Sequence, residues 1–375
     1  MSAANVVISG MGLWTPEHSI SNEELVISYN AFTEKYNADN AADIEAGVII
    51  AKPTSTAGFI EKASGIKSRY VYIKDGILDV DRMSPRIPLR SEDEISDQAE
   101  MAVAAALKAM AAANKKPEDI DAVIVSCAYT QRSYPAIAIE VQGALGIQGF
   151  GFDMLVACSA ATFALQRAYE MIAAGTARCV LTINPELTSP QNNFRNRDSH
   201  FIFGDVATAT IVESADTCDA SHVYDILGTK TVTSYSNNIR SNFGYVLNAN
   251  DDDPFSENNY FHQNGRKVFK EVCPMAAEHI TDHLKETGVA VADVKRWWMH
   301  QANINMNALI TRKVLGRDPE PGEAPTVLDE YANTASAGSL ISFNLHHEDL
   351  KAGEHGLICS FGAGYSIGSL VLRKR

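Results

Sequence analysis

Short apolar runs alternate with longer stretches of helical periodicity along this chain. The runs NVVISGMG, DAVIVSCA, GFDMLVAC, CVLTINPE, ATATIVES, WWMHQA and GLICSFGAG have the length and composition of strands. Between them lie SDQAEMAVAAALKAMAAANKK, ATFALQRAYEMIAAG and FKEVCPMAAEHITDHLKETG, where apolar residues recur at helical spacing. Strands alternating with helices predict an α/β protein with largely buried sheets. One local order occurs twice: ALKAMAAANKKPEDIDAVIVSC and HITDHLKETGVAVADVKRWWMH each carry a helix, a polar turn and an apolar strand. This suggests two similar halves, 1–220 and 221–375, divided in the polar stretch ESADTCDASH. Two segments lack clear periodicity, 30–58 and 77–91, and long irregular segments in compact proteins often serve as lids or binding loops.

Composition narrows the function. Hydrophobic residues make up 46% of the 375 positions and charged residues 21%, an ordinary globular balance. No apolar run approaches the roughly 20 residues of a membrane span. The start MSAANVVISGMG has no basic region followed by an apolar core, so a cytoplasmic location is expected. A formal net charge of −14 argues against nucleic acid or an anionic membrane as a general partner. The six cysteines are scattered, without CxxC pairs or zinc-type spacing, so neither a disulfide framework nor a metal site is expected. Cys127, Cys179 and Cys359 sit in apolar runs and read as small buried hydrophobes.

Cys158 is different. It stands where FDMLVA gives way to a helical pattern through Ala161, Leu165, Ala168 and Ile172, which Gly175 can stop. A helix N-terminus offers unpaired N–H groups and a positive dipole, which favour a thiolate and can hold an oxyanion. The same stretch also fits a cysteine packed in a tight turn. A nucleophile needs partners. His300 ends the apolar strand RWWMH, at the kind of strand terminus where α/β sites open, and a structural histidine bonded to backbone fits the same place. Asn333 precedes small residues and a helical pattern, where an asparagine can also be a simple N-cap. SFGAGYSIGS, residues 360–369, reads as tight glycine turns where backbone can approach a ligand.

Together, ACSAATFAL around Cys158, HQAN at 300–303, NTASA at 333–337 and FGAG at 361–364 resemble the thiolase superfamily, and within it β-ketoacyl-acyl-carrier-protein synthase III. GIKSR at 65–69 and FGD at 203–205 agree in order and spacing. The resemblance implies two α/β halves in a five-layer αβαβα fold, and a homodimer. It implies that Cys158 takes an acyl group from a coenzyme A thioester, with no tightly bound cofactor and no metal. His300 and Asn333 would stabilise the enolate formed when malonyl-carrier protein loses carbon dioxide. The N–H groups of Cys158 and Ala363 would form the oxyanion hole, with an alanine where the family has glycine. The product would be a β-ketoacyl-carrier protein that starts fatty acid or related lipid synthesis.

The resemblance extends to binding residues with departures. Arg197 matches an arginine near the adenine of coenzyme A, Phe59 replaces a tryptophan, and Ala63 stands where the family has an arginine. Asn303 would flank the pantetheine arm, and Phe361 belongs to the FGAG loop. Tyr134 matches a phenylalanine that reaches across the dimer to bound the partner's acyl pocket. Lys270, Arg312 and Lys313 match or neighbour basic positions that dock the acidic carrier. Segment 30–58 is longer than a minimal member needs and is expected to reshape the acyl entrance, favouring a medium-chain or longer primer. The alternative is joining two acyl thioesters without decarboxylation, or acyl transfer in secondary metabolism. Joining needs a base, for which Glu140 is the residue to watch. A degradative thiolase would need a second catalytic cysteine, and a non-catalytic subunit would lack the nucleophile.

Overall fold

The computed structural model describes residues 5–241, 256 and 259–375. In the first half β1 (Val6–Trp14) is followed by α4 (Asp97–Ala112), β4 (Ala122–Cys127), α5 (Ile137–Leu145), β5 (Phe150–Leu155), α6 (Ala160–Ala173), β6 (Cys179–Glu186) and β7 (Val206–Ser214). Inserted between β1 and α4 are β2 (His18–Ser21), α1 (Asn22–Asp39), α2 (Ala41–Glu45), α3 (Ala57–Ser64) and β3 (Ser68–Val71). The second half runs through β8 (Tyr224–Ser236), β9 (Ile239–Ser241), β10 (Phe261–Gln263), α7 (Gly265–Thr287), β11 (Val294–Met299), α8 (Ile304–Leu315), α9 (Leu328–Tyr331), α10 (Gly338–Leu345), β12 (His355–Gly362) and β13 (Gly364–Lys374).

Nine strands form one sheet in the order β11-β12-β13-β8-β1-β7-β6-β4-β5. The order repeats. In each half the first strand pairs antiparallel with the last, the last antiparallel with its predecessor, and that one parallel with the second. Among the described residues the halves pair edge to edge at Val7–Asp225 and Ile8–Tyr224. The two stretches with the repeated helix–turn–strand order occupy equivalent places, α4–β4 and α7–β11.

Five layers follow from which faces are apolar. Along β4, Val123 and Val125 face α4, whereas Ala122 and Ile124 face α6. Along β11, Trp297 and Met299 face α7, whereas Trp298 faces the central helices. α6 packs against strands of both halves, and α10 joins it in the middle. These helices are built from small residues. Ala160, Ala161, Ala164 and Ala168 are buried on α6, and a Cβ at Gly368 of β13 would come within 2.2 Å of Thr162. α4 is alanine-rich for the same reason, since a Cβ at Gly12 of β1 would lie 2.1 Å from the Ala105 carbonyl oxygen.

All seven apolar runs become strands. Cys127, Cys179 and Cys359 are buried as expected. Segment 30–58 departs from expectation, because residues up to 45 are mostly helical. The buried stripe of α1 contains Asn22, Ser28 and Thr33 beside Leu25 and Tyr29, so binary patterning hides it. Each polar member is satisfied: Asn22 donates to Ile66 O, Ser28 to Leu78 O and Thr33 to Tyr29 O. Ser21 and Glu24 form a reciprocal capping box at its start. Residues 360–369 are not a string of turns; Ala363 closes a tight hairpin and β13 begins at Gly364. β8 is largely polar where it extends past β1, and that portion is partly exposed. Segment 77–91 contains no helix or strand.

Candidate active site

Cys158 lies in a single turn, Ala157–Ser159, between β5 and α6. Ala157 has φ 45°, a left-handed conformation that costs a non-glycine residue energy and points to a functional turn. Gly362 of the opposite half presses on this turn, and a Cβ there would come 2.5 Å from the Cys158 Cβ. Only glycine permits this approach. The sulfur is half-buried and reached through a cavity.

His300 follows β11 and is buried. Its N–H donates to Cys359 O at 2.8 Å, and its ring stands edge-on to Phe361 with centroids 5.1 Å apart. Nδ1 is buried without a partner, and the residue lines the cavity. Burial pushes the imidazole down to about 3, so it stays neutral.

Asn333 follows α9 in a turn held by the other half. Its N–H donates to Ile202 O at 2.9 Å, and its carbonyl accepts from Gly204 N–H at 3.2 Å. The side-chain Oδ1 accepts from Ala335 N–H at 3.0 Å. That bond is the capping role, and it leaves the Nδ2 donors for the cavity that Asn333 lines. Ala332 and Ala335 both have positive φ, at 57° and 46°.

Cys158, His300 and Asn333 therefore line one cavity of about 320 Å³, with Phe59, Ala63, Asn303 and Phe361 along its wall. A second cavity of about 150 Å³ meets it at Cys158, lined by Ala128, Thr188, Gln191, Arg240 and Ala363 among others. Phe203, Phe261 and Ile239 border both cavities. Phe203 and Phe261 meet edge to face at 4.8 Å. This partition was not foreseen, because β10 lies far from the motifs in sequence.

The thiol environment corrects one expectation. A helix start alone would lower the thiol, but burial pushes Cys158 up to about 12, and the negative charge of Glu186 adds to it. The N–H groups of Cys158 and Ala363 offset this only in part. Thiolate is thus a small fraction near neutrality. Alkylation of Cys158 by iodoacetamide is expected to rise about tenfold per pH step from about pH 6 to about pH 9. A plateau near neutrality in a pH series of alkylation rates would contradict this.

Arg197 and Phe59 come together, but on each other: the guanidinium carbon lies 3.8 Å from the ring centroid, and Nε donates to Thr54 O at 2.8 Å. Asn303 caps α8 through Asn305 N–H and donates to Ala63 O at 2.8 Å, tying α8 to α3. No residue of 30–58 or 77–91 lines either cavity. Segment 30–58 acts one step removed, bracing the chain before α3 through Asn30–Ser55 and Asn37–Lys52 bonds. Tyr134 is 82% exposed on the single chain and borders neither cavity. Glu140 accepts from Ser96 and pairs with Arg132 at 3.1 Å, also away from both cavities. Lys270 on α7 and Lys313 on α8 are exposed, while Arg312 pairs with Asp318 at 2.6 Å. Cys359 is enclosed and borders neither cavity. Among the described residues no group of three His, Cys, Asp or Glu side chains is arranged to hold a metal, and no helix is long and apolar enough to cross a membrane.

Comparison with known proteins agrees with this geometry. The family model for 3-oxoacyl-acyl-carrier-protein (ACP) synthase III matches residues 152–231, and its C-terminal companion matches 284–374. A β-ketodecanoyl-acyl-carrier-protein synthase of Pseudomonas aeruginosa is 56% identical over 347 residues, 92% of this chain and 99% of that one. A β-ketoacyl-acyl-carrier-protein synthase III of Campylobacter fetus is 29% identical over 339 residues, 89% and 98% of the two chains. In fold, the crystal structure of 3-oxoacyl-acyl-carrier-protein synthase III from Aquifex aeolicus superposes with a TM-score of 0.75 at 23% identity, covering 98% of this chain and 99% of that one.

Proposed function

Because the chain belongs to the β-ketoacyl-acyl-carrier-protein synthase III family of acyltransferases, we propose that it joins a medium-chain acyl group to malonyl-carrier protein through Cys158, His300 and Asn333. The observation that carries this reading is their convergence on one cavity from three separate turns of both halves.

The chemistry follows from the donors available. The Cys158 sulfur attacks the thioester carbonyl of an acyl-CoA. The oxyanion is held by the N–H groups of Cys158 and Ala363, both of which favour negative charge at the sulfur. The carbonyl then re-forms, coenzyme A leaves as a thiol carrying the proton lost by Cys158, and the acyl-enzyme remains. Malonyl-carrier protein next loses carbon dioxide. The electron pair of the broken C–C bond becomes a thioester enolate, whose oxygen meets the neutral His300 imidazole and the Asn333 amide. A neutral donor pair suits this step, since neither carries a charge that would trap the malonyl carboxylate. The enolate carbon attacks the acyl-enzyme carbonyl, the S–C bond breaks, and the Cys158 thiolate released takes up a proton from solvent.

The primer length rests on the relative from Pseudomonas aeruginosa. Its name specifies a ten-carbon product, and decarboxylated malonate supplies two of those carbons, so the primer has eight. In this reading Arg197, Phe59, Asn303 and Phe361 line the coenzyme A and pantetheine path. Lys270 and Lys313, with Arg312 near them, offer the carrier a basic face on an otherwise acidic protein. The reading also includes thiolase-like halves at 1–220 and 221–375 and a cytoplasmic location.

It includes a homodimer through β5. That strand ends the sheet, and Phe150, Leu155 and the neighbouring Ile139 are each about half exposed beside Tyr134. An apolar sheet edge left open is an aggregation hazard, and pairing with a second copy removes it. Tyr134 would then reach the partner's acyl pocket.

The test is intact-mass spectrometry after incubation with acyl-CoAs of two to twelve carbons. One adduct on Cys158, strongest with octanoyl-CoA, is the expected result. Faster turnover with acetyl-CoA than with octanoyl-CoA would overturn the chain length. No adduct with any acyl-CoA would overturn coenzyme A as donor.

A further inference from the structure

Glu186 ends β6 and is fully buried, yet the mechanism above gives it no part. Its strand, CVLTINPE, is otherwise suited to a core, and a carboxylate there needs an explanation. Oε1 accepts from Ser336 N–H at 3.1 Å, from the Ser336 hydroxyl, and from Ala128 N–H at 3.1 Å. Oε2 accepts from Ala128 N–H at 3.1 Å. Each of these contacts is a donor, so the site is shaped for an anion rather than for a neutral acid. Burial pushes the carboxyl up to about 7, and these bonds oppose that rise. An acceptor-only group has been placed where it can gather three donors from two loops.

Those loops matter because of what they carry. Ala128 follows β4 and lines the smaller cavity. Ser336 sits in the turn Ala335–Ala337, immediately after the Ala335 N–H that orients the Asn333 side chain. Two alanines at positive φ flank Asn333, Ala332 before it and Ala335 at the start of the turn, and strained backbone persists only where its surroundings fix it. Two anchors do so. Ile202 and Gly204 grip the Asn333 main chain from one side. Glu186 grips Ser336 from the other, and it too belongs to the first half. Meanwhile its negative charge works against ionisation of Cys158.

We propose that Glu186 is a positioning residue for decarboxylation: by fixing the Ser336 turn it aims the Asn333 amide at the thioester oxygen. This rests on the reading that Asn333 stabilises the enolate. Glu186→Gln keeps the shape but leaves one acceptor oxygen for donors on two loops and sets an NH₂ against the Ala128 N–H when that oxygen keeps Ser336, so the side chain no longer holds both loops as the carboxylate does.

The experiment uses the full chain, acylated with octanoyl-CoA, and reads two quantities. One is radiolabelled carbon dioxide released from malonyl-carrier protein; the other is the rate at which the unacylated protein is alkylated by iodoacetamide at Cys158. Glu186→Gln is expected to release carbon dioxide about 10–100-fold more slowly, the scale of a small misplacement of a reacting group. Its alkylation rate is expected to equal or exceed that of the parent, because a nearby negative charge has gone. A residue serving only stability would lower both together. Ser336→Ala removes one donor but keeps the backbone bond, and is expected to slow carbon dioxide release about 3–10-fold. Carbon dioxide release within twofold of the parent in Glu186→Gln, or a parallel fall in both quantities, overturns the proposal. If Glu186→Gln does not fold, an unchanged rate in Ser336→Ala overturns it. If the parent protein itself releases no carbon dioxide, the proposed function fails and takes this role with it.

Discussion

Replacing Cys158 with alanine is expected to abolish the acyl adduct and to slow condensation by on the order of 10⁴-fold or more, the scale seen when a covalent nucleophile is lost. Intact mass and product formation measure the two effects. The argument is chemical rather than structural. Without sulfur no acyl-enzyme forms, and the remaining donors can only polarise a thioester that has nothing to receive its acyl group. The fold should be indifferent. The Cys158 Cβ is the atom that Gly362 packs against, and alanine retains it. The deleted sulfur faces a cavity rather than core side chains. A thermal midpoint close to that of the parent, with no adduct, is the expected pair of results. Persistence of an octanoyl adduct in Cys158→Ala would place the nucleophile elsewhere.

The second large effect separates the two half-reactions. Asn333→Ala is expected to lower carbon dioxide release by about 10²–10³-fold, the usual loss for one oxyanion donor. Octanoyl transfer to Cys158 should stay within about threefold, because its oxyanion is assigned to backbone N–H groups that this side chain does not touch. Losing the Oδ1–Ala335 bond also loosens the turn, so a modest drop in thermal midpoint accompanies it. Stopped assays of each half-reaction measure the split. Equal losses in acyl transfer and decarboxylation would mean that Asn333 serves the whole site and not the enolate.

How far the sequence led can be judged residue by residue. Cys158 and His300 stand out in the sequence because each closes an apolar run, whereas Asn333 follows the polar stretch LDEYA and is picked out by the resemblance of NTASA. The repeated order of helix, turn and strand pointed to α4–β4 and α7–β11, which occupy matching places. Other features come from convergence in space. Phe203, Ile239 and Phe261 form one partition although they span almost sixty positions, and no local pattern joins them. α1 was obscured because its inward stripe is half polar. Arg197 and Phe59 were each identified, but their direct stacking depends on a turn of the chain near Thr54 that periodicity does not report. Glu186 leaves a signal in the sequence, a carboxylate closing an apolar strand, but its partners lie 58 and 150 positions away and no local pattern joins them.

The narrow helix α6 has a consequence for how this enzyme can vary. It follows the cysteine turn and packs against strands of both halves, so it acts as a gauge block between that turn and the opposite half that brings Gly362. One added methyl group on its inner face would wedge the halves apart and widen the catalytic gap at the same stroke. Thickness in the middle and spacing at the site are therefore a single quantity. New substrate ranges have to be written at the periphery, in α3 and in the β9–β10 ribbon, whose side chains shape the cavities without setting that gap.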